Sequence, residues 1–146
     1  MYNYKFKLQK LLDIKIQEEE ESKLEYTKAQ NEKKSLEDNL KRLDSSYRKY
    51  SNFEQSEDII SQKLRLNYLH SISQTIEKHN QDLIEQEKVV LKAKDKFIEK
   101  QINRKSLETL KENNLIRLQK EEERKEQLEN DEFALYAYIR NKKNIS

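Results

Sequence analysis

Apolar side chains recur along this 146-residue chain in steps of three and four. In the first third, Tyr26, Ala29, Lys33, Leu36, Leu40, Leu43, Tyr47 and Tyr50 follow one another at those intervals, with Lys33 the one charged member. The average step of 3.5 is the repeat that winds helices into a left-handed coiled coil. Further on, Leu69, Ile76, Leu83, Val90 and Phe97 recur every seven residues, and Ile84, Leu91 and Ile98 widen that stripe on one side. The intervening half-heptad positions, Ile72, His79, Gln86 and Ala93, are mixed. The pattern predicts an all-α chain of two long helices that form an antiparallel coiled-coil hairpin, the second helix being longer.

Between the two stripes lies Ser51-Asn52-Phe53-Glu54-Gln55-Ser56-Glu57-Asp58, the densest cluster of cap and turn residues. The expected organisation is therefore one coiled-coil domain over 1–146: a helix over about 4–50, a bend over about 51–58 and a helix over about 59–140. Ser56 is the expected cap of the second helix, with Glu57 and Asp58 opposing its dipole and Ser61 as a competing cap. Arg48 and Lys49 suit the end of the first helix. A link this short sends the chain back antiparallel. With the bend centred near residue 54, Leu40 faces the region of Leu69 and Met1 lies opposite residue 107. The rest of the second helix then has no internal partner, although it carries Leu110, Leu115, Leu118, Leu128, Phe133, Tyr136 and Ile139 at helical spacing. A lone amphipathic helix gains little until its stripe is covered. Two polar interruptions stand out. Glu18 to Glu21 wraps a full turn, which puts at least one acid near the seam, with Lys88, Lys92 and Lys94 as the expected partners. Asn113-Asn114 is expected to bend or fray the second helix.

Composition strengthens the helical reading. The chain has neither glycine nor proline, where average usage would supply roughly 17. Positive-φ turns and helix stops are thus largely unavailable. Charged residues make up 40% and apolar residues 34%, too little apolar surface for an ordinary globular core. The 30 basic and 28 acidic residues nearly cancel, so self-repulsion is small and no basic excess points to nucleic acid. The longest apolar run, Phe133 to Ile139, falls far short of a bilayer span. The N-terminus lacks the apolar core of a secretory signal, so the chain is expected to be soluble and cytoplasmic, with no transmembrane segment.

No reaction chemistry emerges. Without glycine there is no phosphate-cradling loop. Zinc sites want cysteines or several histidines, and only His70 and His79 are present. Abundant carboxylates on an exposed surface are not a poised acid–base pair, which needs a cleft. The expectation is a non-enzyme with no metal and no cofactor.

Three segments resemble the flagellar export protein FliJ family: Tyr4-Lys5-Phe6-Lys7-Leu8-Gln9-Lys10-Leu11-Leu12-Asp13-Ile14-Lys15 followed by acids; Asn67-Tyr68-Leu69 through Ile72-Ser73-Gln74-Thr75-Ile76-Glu77-Lys78; and Asn130-Asp131-Glu132-Phe133 leading to the basic end Arg140-Asn141-Lys142-Lys143. The resemblance spans nearly the whole chain. It implies an antiparallel coiled-coil stalk and general escort of the flagellar type III export apparatus. Such a stalk promotes assembly of the hexameric export ATPase ring, links it to a membrane export gate protein and handles substrate chaperones. It would sit in the cytoplasm, peripherally at the inner face of the cell membrane. By residue match, the resemblance implies gate contacts at Asn39, Leu43, Tyr50, Ile72, Ile76, His79 and Leu83, although Ser46 stands where the family pattern has an aromatic. It implies ATPase-ring contacts at Phe133, Tyr136, Ile139 and Arg140. Leu43, Tyr50, Ile72, Ile76 and Leu83 also lie on the inferred seam, so packing is an equal reading for the first four and the favoured one for Leu83. The competing identities are the equivalent stalk of a virulence type III secretion system, a purely structural coiled coil that self-associates, and a nucleic-acid-reading hairpin arm.

Overall fold

The structure, a computed structural model, describes residues 4–52 and 58–145, with side chains to 144. The chain is all-α: α1 spans Gln9–Ser51 and α2 spans Ile59–Ile145, the second twice as long as the first. No strand occurs among the described residues. The expected bend centre at residue 54, and Ser56 with Glu57 as cap and first turn, lie outside the described residues. The start of α2 is nevertheless marked: the Asp58 carbonyl accepts the Gln62 amide at 2.9 Å, so Asp58 stands at the N-cap. Ser61 is already inside the helix.

The chain forms two compact units, one made of Ile16–Gln101 and the other of the two segments Met1–Lys15 and Ile102–Ser146. In Ile16–Gln101 the two helices pack antiparallel along one seam. On α1 the residues withdrawn from solvent include Ser22, Tyr26, Ala29, Lys33, Leu36, Leu40 and Leu43; on α2 they include Leu69, Ile72, Ile76, His79, Leu83, Gln86, Val90, Ala93 and Phe97. From Tyr26 to Leu43 and from Leu69 to Phe97 these are the 3–4 series read from the sequence, down to the mixed half-heptad positions. One step differs. Ser46, not Tyr47, turns towards the seam, because a buried phenol needs a partner for its hydroxyl and a serine at the edge does not obstruct the partner helix.

The seam is thin. Ser22 is 2% exposed and sends its hydroxyl back to the Glu19 carbonyl at 2.8 Å; Ala29 is 5% exposed. Small side chains there bring the backbones close, while Tyr26 stacks flat on Phe97 with centroids 6.2 Å apart. The Gln86 amide donates to the Ala29 carbonyl at 3.0 Å and to Glu32 at 3.3 Å. A polar side chain fixed across a seam in this way selects one register over its neighbours.

That register differs from the expected one. Gln86 meets Glu32, Lys100 meets Glu18 at 3.3 Å, and Tyr50 packs edge-on against Tyr68 at 4.8 Å. Each pair is centred on residue 59, the first residue of α2, and not on residue 54. Leu40 therefore faces the neighbourhood of His79 and not that of Leu69. The cause is that α2 begins before it meets α1. Ile59, Ile60 and Leu64, in its first two turns, stay 65–69% exposed, whereas Arg65 reaches back to the Asn52 carbonyl at 2.7 Å. The shift also changes the partner of the acidic run. Glu18 and Glu19 are the half-buried members, and Glu18 pairs with Lys100, not with Lys88, Lys92 or Lys94.

In the other unit, the start of the chain packs on Ile102–Leu118. Helix α1 begins at Gln9 and not near residue 4, because Tyr4 to Leu8 are used differently. The Phe6 ring is buried at 8% exposure, Tyr4 donates its hydroxyl to the Lys111 carbonyl at 3.3 Å, and the Gln9 amide closes a turn on the Phe6 carbonyl. Leu12, at 3% exposure, continues the packing, and Lys111 donates to the Gln9 side-chain oxygen at 2.7 Å. Met1 lies outside the described residues; Gln9 against Lys111 carries the packing beyond residue 107. α2 runs unbroken through Asn113 and Asn114, and Asn114 is half-buried beside Leu115. From Ile116 to Asn144 every residue is exposed.

Candidate functional site

Two surfaces hold the sequence-predicted site residues, one in each unit. In Ile16–Gln101, the seam absorbs most of the implied gate stripe. Ile72 is 6% exposed, and Leu43, Ile76, His79 and Leu83 are half-buried. The His79 ring places Nδ1 3.0 Å from the Thr75 carbonyl, one turn back on its own helix. Asn39 and Tyr50 are exposed. Asn39 lines a shallow groove with Leu24, Thr27, Leu36 and Gln86, and Tyr50 rests on the edge of Tyr68. The seven residues thus separate into a packed group and two side chains that face outward.

Sequence reasoning misses the exposed aliphatics beside this stripe. Ile60, Leu64 and Tyr68 follow at i, i+4 and i+8, which puts them on one face of α2, and Tyr50 adjoins that face. Their spacing is visible in the sequence, but the stripe traced there begins at Leu69 and leaves them out.

In the second unit, Phe133 is 73% exposed, Tyr136 65% and Ile139 43%, and Arg140 is exposed beside them. Phe133 and Tyr136 border a groove with Glu129 and Glu132. The segment bearing them is acidic on its N-terminal side and basic at Arg140, Lys142 and Lys143. Such a surface presents aromatic area between two charge signs and makes no cleft. Among the described residues, no group of three or more His, Asp or Glu side chains gathers to hold a metal ion, and no helix is long and apolar enough to cross a membrane. What the arrangement offers chemically is binding by shape, apolar area and charge.

Compared with known proteins, the chain matches the family model described as Flagellar FliJ protein over residues 4–143, and it belongs to that family. No curated protein and no solved structure matches it. Membership assigns a role associated with flagellar protein export, in a family of non-catalytic export components.

Proposed function

We propose that this member of the flagellar FliJ protein family is the stalk and general escort of the flagellar type III export apparatus, working as a single coiled-coil domain. It promotes assembly of the export ATPase hexamer, links the ring to the membrane export gate and handles substrate chaperones, at the cytoplasmic face of the cell membrane. It supplies no catalytic group. Its mechanism is differential binding: a shaft that prefers the assembled ring shifts the ATPase towards that state.

The observation that carries this reading is the helical end beyond Leu115. It is exposed throughout and bears Phe133, Tyr136, Ile139 and Arg140 on a segment that nothing in its own unit covers. A helix in that condition gains stability only when a partner buries its stripe. At the other surface, the gate reads the outward-facing Asn39 and Tyr50, while Leu43, Ile72, Ile76, His79 and Leu83 hold the seam that presents them.

The test mixes the purified protein with its cognate export ATPase and measures ATP turnover and ring formation. Both should rise, and Phe133→Asp with Ile139→Asp should abolish the rise. Unchanged turnover and assembly with the unaltered protein would remove the function; full stimulation by the double variant would remove the docking end.

A further inference from the structure

The exposed end of α2 is self-complementary. Starting at Glu126, steps of three and four reach Glu129, Phe133, Tyr136, Arg140 and Lys143, so these six residues share one face of the helix. Read in order, the face is acid, acid, aromatic, aromatic, base, base. A second copy laid antiparallel, centred between Ala134 and Leu135, sets Phe133 on Tyr136 of the second copy. The same placement sets Glu129 against Arg140 and Glu126 against Lys143 of that copy. The two-fold axis repeats every pair, as an isologous interface requires.

We propose that this face pairs the protein with a second copy of itself through an antiparallel contact over residues 126–143. Charge complementarity fixes the occupant and its direction. Parallel pairing would oppose acid to acid and base to base, which costs affinity and rejects that orientation. Continuity with packing already present supports the same face. Helix α2 withdraws a band of Leu107, Glu108, Lys111, Asn114 and Leu115 partly from solvent, with Lys111 bonded to Tyr4 and Gln9 at the start of its own chain. At 3.6 residues per turn, that line extended along the helix arrives at Glu126, Glu129, Phe133 and Tyr136. The stripe that the N-terminal segment covers in one stretch is left to a second copy in the next. The aromatic pair supplies the buried centre and the charged pairs its rim.

The proposal concerns the free protein, whose pairing an ATPase ring docking on Phe133, Tyr136 and Arg140 would displace. It is tested separately from the stalk reading, since its readout is the mass of the protein alone, with no ATPase present. Sedimentation equilibrium of the full chain should show a monomer–dimer equilibrium below about 100 μM. The E126K/E129K variant and the R140E/K143E variant should each dimerise at least about tenfold more weakly, because each sets like charges together. An equimolar mixture of the two should restore the dimer, since every opposed pair is then again of opposite sign. The mixture also serves as the folding control, since two misfolded chains would not rescue each other. A protein that stays monomeric to that concentration, variants that dimerise as well as the original, or a mixture that stays monomeric would each overturn the proposal.

Discussion

Ile72 and Ile84 provide a controlled comparison of seam against flank. Both are isoleucines in the same stretch of α2, but Ile72 is 6% exposed and Ile84 55%. Substituting alanine removes about three carbons at roughly 0.8 kcal/mol each when fully buried. Ile72→Ala therefore loses about 2.3 kcal/mol of burial, and the incompletely closed gap raises this towards ~3 kcal/mol. Ile84→Ala loses about 1 kcal/mol, part of which is offset because alanine is the better helix former. The difference of about 2 kcal/mol corresponds to a roughly 30-fold change in the folding constant. Urea unfolding followed by helical circular dichroism resolves it: with a slope of about 1–2 kcal/mol per molar, the Ile72 variant should melt at least ~1 M earlier than the Ile84 variant. Equal midpoints would mean that the seam does not carry the stability of Ile16–Gln101, and the packing described above would have to be abandoned.

Two further outcomes follow from the same seam. Ser22→Leu should destabilise by about 1–3 kcal/mol in the same urea assay, because a leucine forced between backbones this close overpacks the contact; a stabilised variant would show that the close approach is not required. Lys100–Glu18, with side chains 25% and 33% exposed, should give a larger double-mutant coupling than Lys96–Glu25, at 52% and 58%. Values near 1 and below about 0.5 kcal/mol are expected, both shrinking with added salt, and the reverse ranking would contradict the burial that distinguishes them.

Much of this architecture is legible because the helices obey one period. From Tyr26 to Leu43, and from Leu69 to Phe97, side chains chosen by 3–4 spacing alone are the ones withdrawn from solvent. Missing glycine and proline explain why α2 persists through Asn113-Asn114, two helix-indifferent residues at which a break is expected: nothing there forbids the next backbone hydrogen bond. Register is not legible. It depends on how far α2 runs before meeting α1, and that is decided by cross-seam contacts such as Gln86 to Ala29 and Arg65 to Asn52. A five-residue error in the centre moves every partner by about ten residues, nearly three turns, which is why spacing alone matches Glu18 with the wrong lysines. The N-terminal departure has the same character. Tyr4 and Phe6 are compatible with a helix, but their contacts with α2 outweigh a propensity term worth tenths of a kcal/mol per residue. For the gate stripe, periodicity cannot separate a seam position from a docking position, since both want apolar residues on one face; only burial divides Ile72 from Tyr50.

The exposed end of α2 also bears on where the chain opens first. Over Ile116 to Asn144 the helix is held by its own backbone bonds and little else, so unwinding there is local and cheap compared with opening the seam. Lys120, Arg124 and Lys125 sit inside that stretch, where a transiently unwound backbone fits a protease cleft. A partner that covers the segment should shield these sites, and limited proteolysis of the free chain should cut there before it cuts within Ile16–Gln101.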